Sequence, residues 1–161
     1  MKNKKGFTLV ELLAVIVVLG IVMGIAAVAI TNVLDSTRKN AFVSNAKQYI
    51  EGAKSIVEAE LVDRMFATGD TTFLGNCAKD SKHDINIKEK IKLKTGGETS
   101  PYGLAWDKDN SKVVVTVTDD NCSTFTYAIY LTDGTNAIGT ADAPIAESAV
   151  DATKVGVVSG S

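Results

Sequence analysis

Residues 4–13 read Lys4-Lys5-Gly6-Phe7-Thr8-Leu9-Val10-Glu11-Leu12-Leu13, and their reading decides the fold because they set one carboxylate into the start of an otherwise uninterrupted apolar run. Residues 12–30 follow as LLAVIVVLGIVMGIAAVAI, without a charge. With residues 7–10 added, the block reaches the ~20 residues a helix needs to cross the hydrocarbon core of a bilayer. A charged side chain inside such a segment costs about 2.5–3.5 kcal/mol on insertion scales, so it normally marks a paired or functional position. Glu11 is therefore the first residue to explain.

A removable secretory signal fits this segment badly. The apolar run exceeds the usual ~7–15 residues, and no small-residue exit lies behind a short core. The small residue that stands out, Gly6, precedes the block, so cutting there would shed Lys2, Lys4 and Lys5 and keep the helix. The cut would also free an ammonium on Phe7, one helical turn from Glu11, because positions i and i+4 share a helix face. The plain alternative is a Glu11 that snorkels to the headgroups.

The run Gly6-Phe7-Thr8-Leu9-Val10-Glu11 followed by a long apolar helix resembles the type IV pilin class, which includes the pseudopilins of type II secretion and competence systems. The short leader and the Phe7 start are similar to the type IVa prepilins. The resemblance covers the first third of the chain. It implies cleavage between Gly6 and Phe7 by a prepilin peptidase, N-methylation of Phe7, and a Glu11 that pairs between neighbouring subunits. It also implies a subunit stored in the membrane, then built into a homopolymeric filament by an inner-membrane assembly platform and a cytoplasmic ATPase. Such a filament serves adhesion, twitching motility, biofilm formation or DNA uptake. The implied fold is α+β: a long N-terminal helix packed on a small antiparallel sheet. Two alternatives stay open, a major pseudopilin and a monomeric, membrane-tethered extracellular binding domain. Some tip pseudopilins lack the glutamate, so Glu11 argues for an extending subunit.

Gly20 and Gly24 form G-x-x-x-G, a spacing that lets helices approach closely. Relatives in that class often carry a proline where this chain has Val28, so local melting of the helix would rest on Gly20, Gly24 and the weak helix formers around them, and helix packing is the favoured role. Beyond Ile30, Phe42, Ala46, Tyr49, Ala53 and Ile56 form one stripe, and Ile50, Ala53, Val57, Leu61 and Met65 another. The spacing predicts an amphipathic helix running on to Phe66. Gly52 within it marks either close packing or a tolerated helix glycine.

After the helix, Ile85, Ile87, Ile91 and Leu93 alternate with polar residues, although the same residues could form a short helix, and 95–97 and 100–101 are turn signals. Segments 102–107, 112–118 and 123–131 are predicted strands of an antiparallel meander. Residues 140–161 read as an irregular tail. The expected organisation is a leader at 1–6, a transmembrane and assembly helix at 7–30, an amphipathic helix at 31–66, a sheet head at 67–139 and the tail.

The 161 residues allow one globular domain beyond the membrane helix. Loss of the three leader lysines would take the formal charge from -2 to -5, leaving no basic stripe for nucleic acid. The leader lysines favour a cytoplasmic N-terminus and an outside head, opposed by Arg38 and Lys39. Cys77 and Cys122 fall in that outside portion, where a disulfide persists. Joining them would close a loop of about 46 residues and stabilise the head by about 4 kcal/mol; two free thiols are the alternative. The bridge in many relatives instead encloses a C-terminal loop. His83 is the only histidine, too few for a Cys/His zinc site. No nucleotide or cofactor motif occurs, and His83 has no nucleophile at motif spacing, so no enzyme is expected. Residues 107–112 imitate a calcium loop without its glycine and closing glutamate and read as a hairpin turn. Asn121-Cys122-Ser123 satisfies N-x-S, a signal on which bacterial chains are not routinely glycosylated.

Overall fold

The protein is represented by a computed structural model, which describes residues 7–66, 78–87, 91 and 98–158. Helix α1, Leu9–Phe66, covers 58 residues. No proline interrupts it, the first in the chain being Pro101. Its first half is rich in valine and isoleucine, which are mediocre helix formers in water. In a bilayer the helix is enforced because every backbone group must be bonded within the segment.

The chain divides into two compact units, Met1–Thr37 and Arg38–Ser161. In the first, all described residues are exposed, including Leu9, Ile16, Ile25 and Leu34, and the helix is long and apolar enough to cross a membrane. A helix that is apolar all round and exposed at every described residue of this half calls for a nonaqueous environment or other helices.

The second unit is a sheet laid on the polar half of α1. Phe42, Ala46, Tyr49, Ile50, Ala53 and Val57 are buried, spaced as one face of a 3.6-residue period. They meet the inward residues of a six-stranded antiparallel sheet: β1 Lys82–Asn86, β2 Lys112–Val117, β3 Phe125–Thr132, β4 Asn136–Ile138, β5 Ile145–Ala146 and β6 Val155–Val157. The order is β1-β2-β3-β4-β6, with β5 paired to β3. The register sets Val113 opposite Ile129 and Leu131 opposite Ile138. Val113, Val115 and Val117 alternate with Val114 and Thr116, so β2 presents one wholly buried face to the helix. Lys54 adds a polar clasp, binding Glu51 at 2.8 Å and Glu147 at 2.6 Å above the Tyr127 ring.

The predicted helix and the strands at 112–118 and 123–131 agree with α1, β2 and β3 to within two residues or so at their ends. Segment 102–107 does not form its predicted strand. It is a turn with one isolated bridge, Thr99 to Ala105, and Gly103 lies at φ 82°. The turn drives Trp106 into the core, 4.9 Å from Phe42 and 6.2 Å from Tyr49 in edge-on contact. The predicted irregular tail at 140–161 is likewise corrected. Strands β5 and β6 and two 3₁₀ turns, Glu147–Ala149 and Ala152–Lys154, occupy it. Val150 and Val155 enter the core. His83 lies on β1 opposite Val115, within 3.2 Å of the Ser81 hydroxyl. Asp107 closes the expected turn by accepting from the Asn110 N–H at 3.1 Å. Leu93 and the turn signal at 95–97 lie outside the described residues.

Gly52 resolves to close packing. A Cβ there would stand 2.5 Å from Ile91 Cγ2, and Ile91 is itself buried. Gly52→Ala gains up to about 1 kcal/mol of helix propensity but overpacks the site, at about 1–3 kcal/mol. The expected outcome is a net loss on the order of 1 kcal/mol, read as a lower urea midpoint for the detergent-solubilised protein. A raised midpoint would mean that Ile91 yields without strain.

Candidate functional site

The start of α1 is closed by two side chains. Thr8 is the N-cap: its carbonyl accepts the Leu12 N–H at 3.2 Å and its hydroxyl accepts the Glu11 N–H at 3.3 Å. Glu11 reaches back, its Oε2 accepting the Thr8 N–H at 2.8 Å and the Thr8 hydroxyl at 2.9 Å. This is a capping box, in which two residues satisfy each other's orphan donors at a helix start. It also places a negative charge at the positive end of the helix dipole.

Thr8 is the partner that a charge-pair reading of the sequence omits, although Thr8-Leu9-Val10-Glu11 spells the T-x-x-E signature of the box. The geometry leaves room for a second donor. Both bonds fall on Oε2, no other described residue donates to Oε1, and Phe7, the neighbour of Thr8 in the chain, is 88% exposed. Gly6 lies outside the described residues.

Gly20 and Gly24 sit one turn apart on the exposed apolar half of α1. A Cβ at either would meet nothing within 4 Å. No described residue of the chain therefore requires these glycines. Their small size gains a packing consequence only when another helix arrives.

Cys122 terminates the β2–β3 turn in a left-handed conformation, φ 55°. It is buried and disulfide-bonded, and Arg64 Nη1 lies 3.5 Å from its Sγ. Cys77 lies outside the described residues. Among the described residues no group of three or more His, Cys, Asp or Glu side chains is placed to hold a metal ion.

Comparison with known proteins bears on the same N-terminal segment. Residues 1–27 match the family described as the prokaryotic N-terminal methylation motif. The chain is similar to a "Fimbrial protein" of Pseudomonas aeruginosa, 30% identical over 99 residues that cover 62% of this chain and 58% of the relative. It is also similar to "Fimbrial protein Q" of Moraxella bovis, 32% identical over 87 residues covering 54% and 50% respectively. The chain thus spans little more than half the length of the curated relatives it matches. No solved structure matches it.

Proposed function

We propose that this chain is the precursor of a type IV pilin, a structural and not a catalytic protein, polymerised through its N-terminal helix into a surface filament. The methylation motif over residues 1–27 and the fimbrial relatives support the class. The single observation that carries the reading is the placement of Glu11 at the head of an apolar helix whose described residues are exposed throughout its first half.

Cleavage by prepilin peptidase between Gly6 and Phe7 creates an ammonium on Phe7 that the precursor lacks, and methylation leaves it cationic. In the stored subunit Thr8 holds Oε2 of the Glu11 carboxylate, and no other described residue donates to Oε1. In the filament the Phe7 ammonium of a neighbouring subunit meets Glu11, neutralising a charge that is expensive in an apolar core and fixing the axial register. Lateral contacts run along the apolar face, with Gly20 and Gly24 admitting close approach. Before assembly the helix spans the membrane with the N-terminus cytoplasmic and the head outside. There Cys122 pairs with Cys77, tying the β2–β3 turn to the chain that follows α1.

The chain carries no nucleotide-binding motif, so extraction from the bilayer draws on a cytoplasmic ATPase acting through an inner-membrane assembly platform. The names of the relatives favour a surface fimbria over a pseudopilus of type II secretion or competence, and a tethered monomer leaves the Gly6-Phe7 junction without a purpose.

Mass spectrometry of the mature N-terminus tests the reading. The expected chain begins at Phe7 with one methyl group on its amine. A chain that keeps Met1 overturns it. Labelling of long surface fibres by an antibody to the head separates pilus from pseudopilus.

A further inference from the structure

The turn between β2 and β3 carries a motif that filament assembly does not use, Asn121-Cys122-Ser123. Its polar groups are almost fully committed to holding the turn. Asp119 accepts from the Ser123 N–H at 2.9 Å, from the Thr124 N–H at 3.1 Å and from the Ser123 hydroxyl, while Thr118 and Thr124 bond through their hydroxyls at 2.6 Å. Cys122 turns inward and is buried. Asn121 is the exception: it is exposed at the tip, and no described residue bonds its carboxamide. An exposed asparagine does no work for the turn, and N-x-S, though not routinely used in bacterial chains, is the acceptor pattern for N-linked glycans on surface loops of exported proteins.

We infer that Asn121 is an acceptor for an N-linked glycan, supplied by a lipid-linked glycosyl pyrophosphate. This rests on the placement of the head outside the cell. In the transfer the Asn121 Nδ2 attacks the anomeric carbon, the bond from that carbon to the pyrophosphate oxygen breaks, and the lipid pyrophosphate leaves. Nδ2 surrenders one proton to a base of the transferase. No electrons change hands, and no further reactant is needed.

The Ser123 hydroxyl sets the order of events. A transferase that reads the serine together with the asparagine must meet the segment before Asp119 takes that hydroxyl. Transfer therefore belongs to export, ahead of closure of the turn and burial of Cys122. In the finished head the glycan stands off a tight, bonded turn into solvent, where it displaces no bond made by a described residue.

Peptide mapping of protein sheared from the native cells tests this. The tryptic peptide 113–154, reduced and fragmented, is expected to carry a saccharide mass on Asn121. The mass is expected to disappear in Asn121→Gln and Ser123→Ala and to survive in Ser123→Thr. An unmodified Asn121 in the native protein overturns the inference, as does a sugar that survives Asn121→Gln and vanishes in Ser123→Ala, which would be O-linked. The same digest reads the N-terminus. Methylated Phe7 with bare Asn121 removes the glycan and leaves the pilin reading intact, whereas a retained leader removes the pilin reading. Cooperative urea unfolding of each variant establishes that its head folds.

Discussion

Glu11→Ala is expected to leave processing and membrane insertion intact and to abolish filament growth. Insertion becomes easier, because removing a carboxylate from the apolar segment relieves about 2.5–3.5 kcal/mol on insertion scales. Cleavage is untouched, since Gly6 and Phe7 remain. What disappears is the only carboxylate between Phe7 and Asp35, and with it the group that can neutralise the Phe7 ammonium of a neighbouring subunit. The capping box supplies a competing explanation for any defect, because Glu11 also closes the helix start onto Thr8. Glu11→Gln separates the two. Glutamine serves at the third position of a capping box as glutamate does, but it carries no charge. If the charge pair builds the filament, glutamine fails as alanine does; if the cap alone matters, glutamine restores fibres. Electron microscopy of surface filaments, with an immunoblot for the processed subunit, reads both arms. Normal piliation of Glu11→Ala would end the proposal.

The long helix was legible because its information is local. No proline precedes Pro101, the apolar block is continuous to Ile30, and the buried faces of Phe42 to Val57 repeat at helical spacing. The central strands were legible for the same reason. β2 is Lys-Val-Val-Val-Thr-Val and β3 mixes aromatic and β-branched residues over eight positions, enough length for the period and composition to register. The sheet's other edge was not. β5 and β6 have two and three residues, too short for any period. They are strands only because β3 and β4 offer open edges to pair with. Trp106 fails differently: Tyr102 and Trp106 look like strand residues, but the cavity between Phe42 and Tyr49 decides their fate, and that is a tertiary fact. At the N-terminus, Glu11 was conspicuous because its charge is out of place. Thr8 is inconspicuous as a lone threonine beside apolar residues, and its role rests on geometry, its hydroxyl standing 2.9 Å from Glu11.

Asp133→Ala is expected to destabilise the head by on the order of 3 kcal/mol, because it strands several buried donors at once. Asp133 sits in the β3–β4 turn, 8% exposed, ahead of Gly134 at φ 84°. One carboxylate oxygen accepts the Ser100 hydroxyl at 2.6 Å; the other accepts the Asn136 N–H at 2.6 Å and the Thr135 N–H at 3.0 Å. The Asn136 carboxamide adds longer bonds of 3.3 Å to both. Ser100 belongs to the segment that delivers Trp106, whose neighbour Asp107 donates its N–H to the Thr132 carbonyl at 2.9 Å. The one carboxylate therefore couples the hairpin to the insertion of the core tryptophan. Burial by itself would raise the Asp133 pKa, but the bonds from Ser100, Asn136 and Thr135 outweigh it and hold the group below its ordinary value. A depressed folded-state pKa contributes stability that is complete above the unfolded value, about 3.9, and is lost as pH falls through the lower folded value. The gap in urea midpoint between the native protein and Asp133→Ala should accordingly be full at about pH 7 and narrow below about pH 4. A gap that stays constant into acid would show that the shape of the side chain, and not its charge, holds the turn.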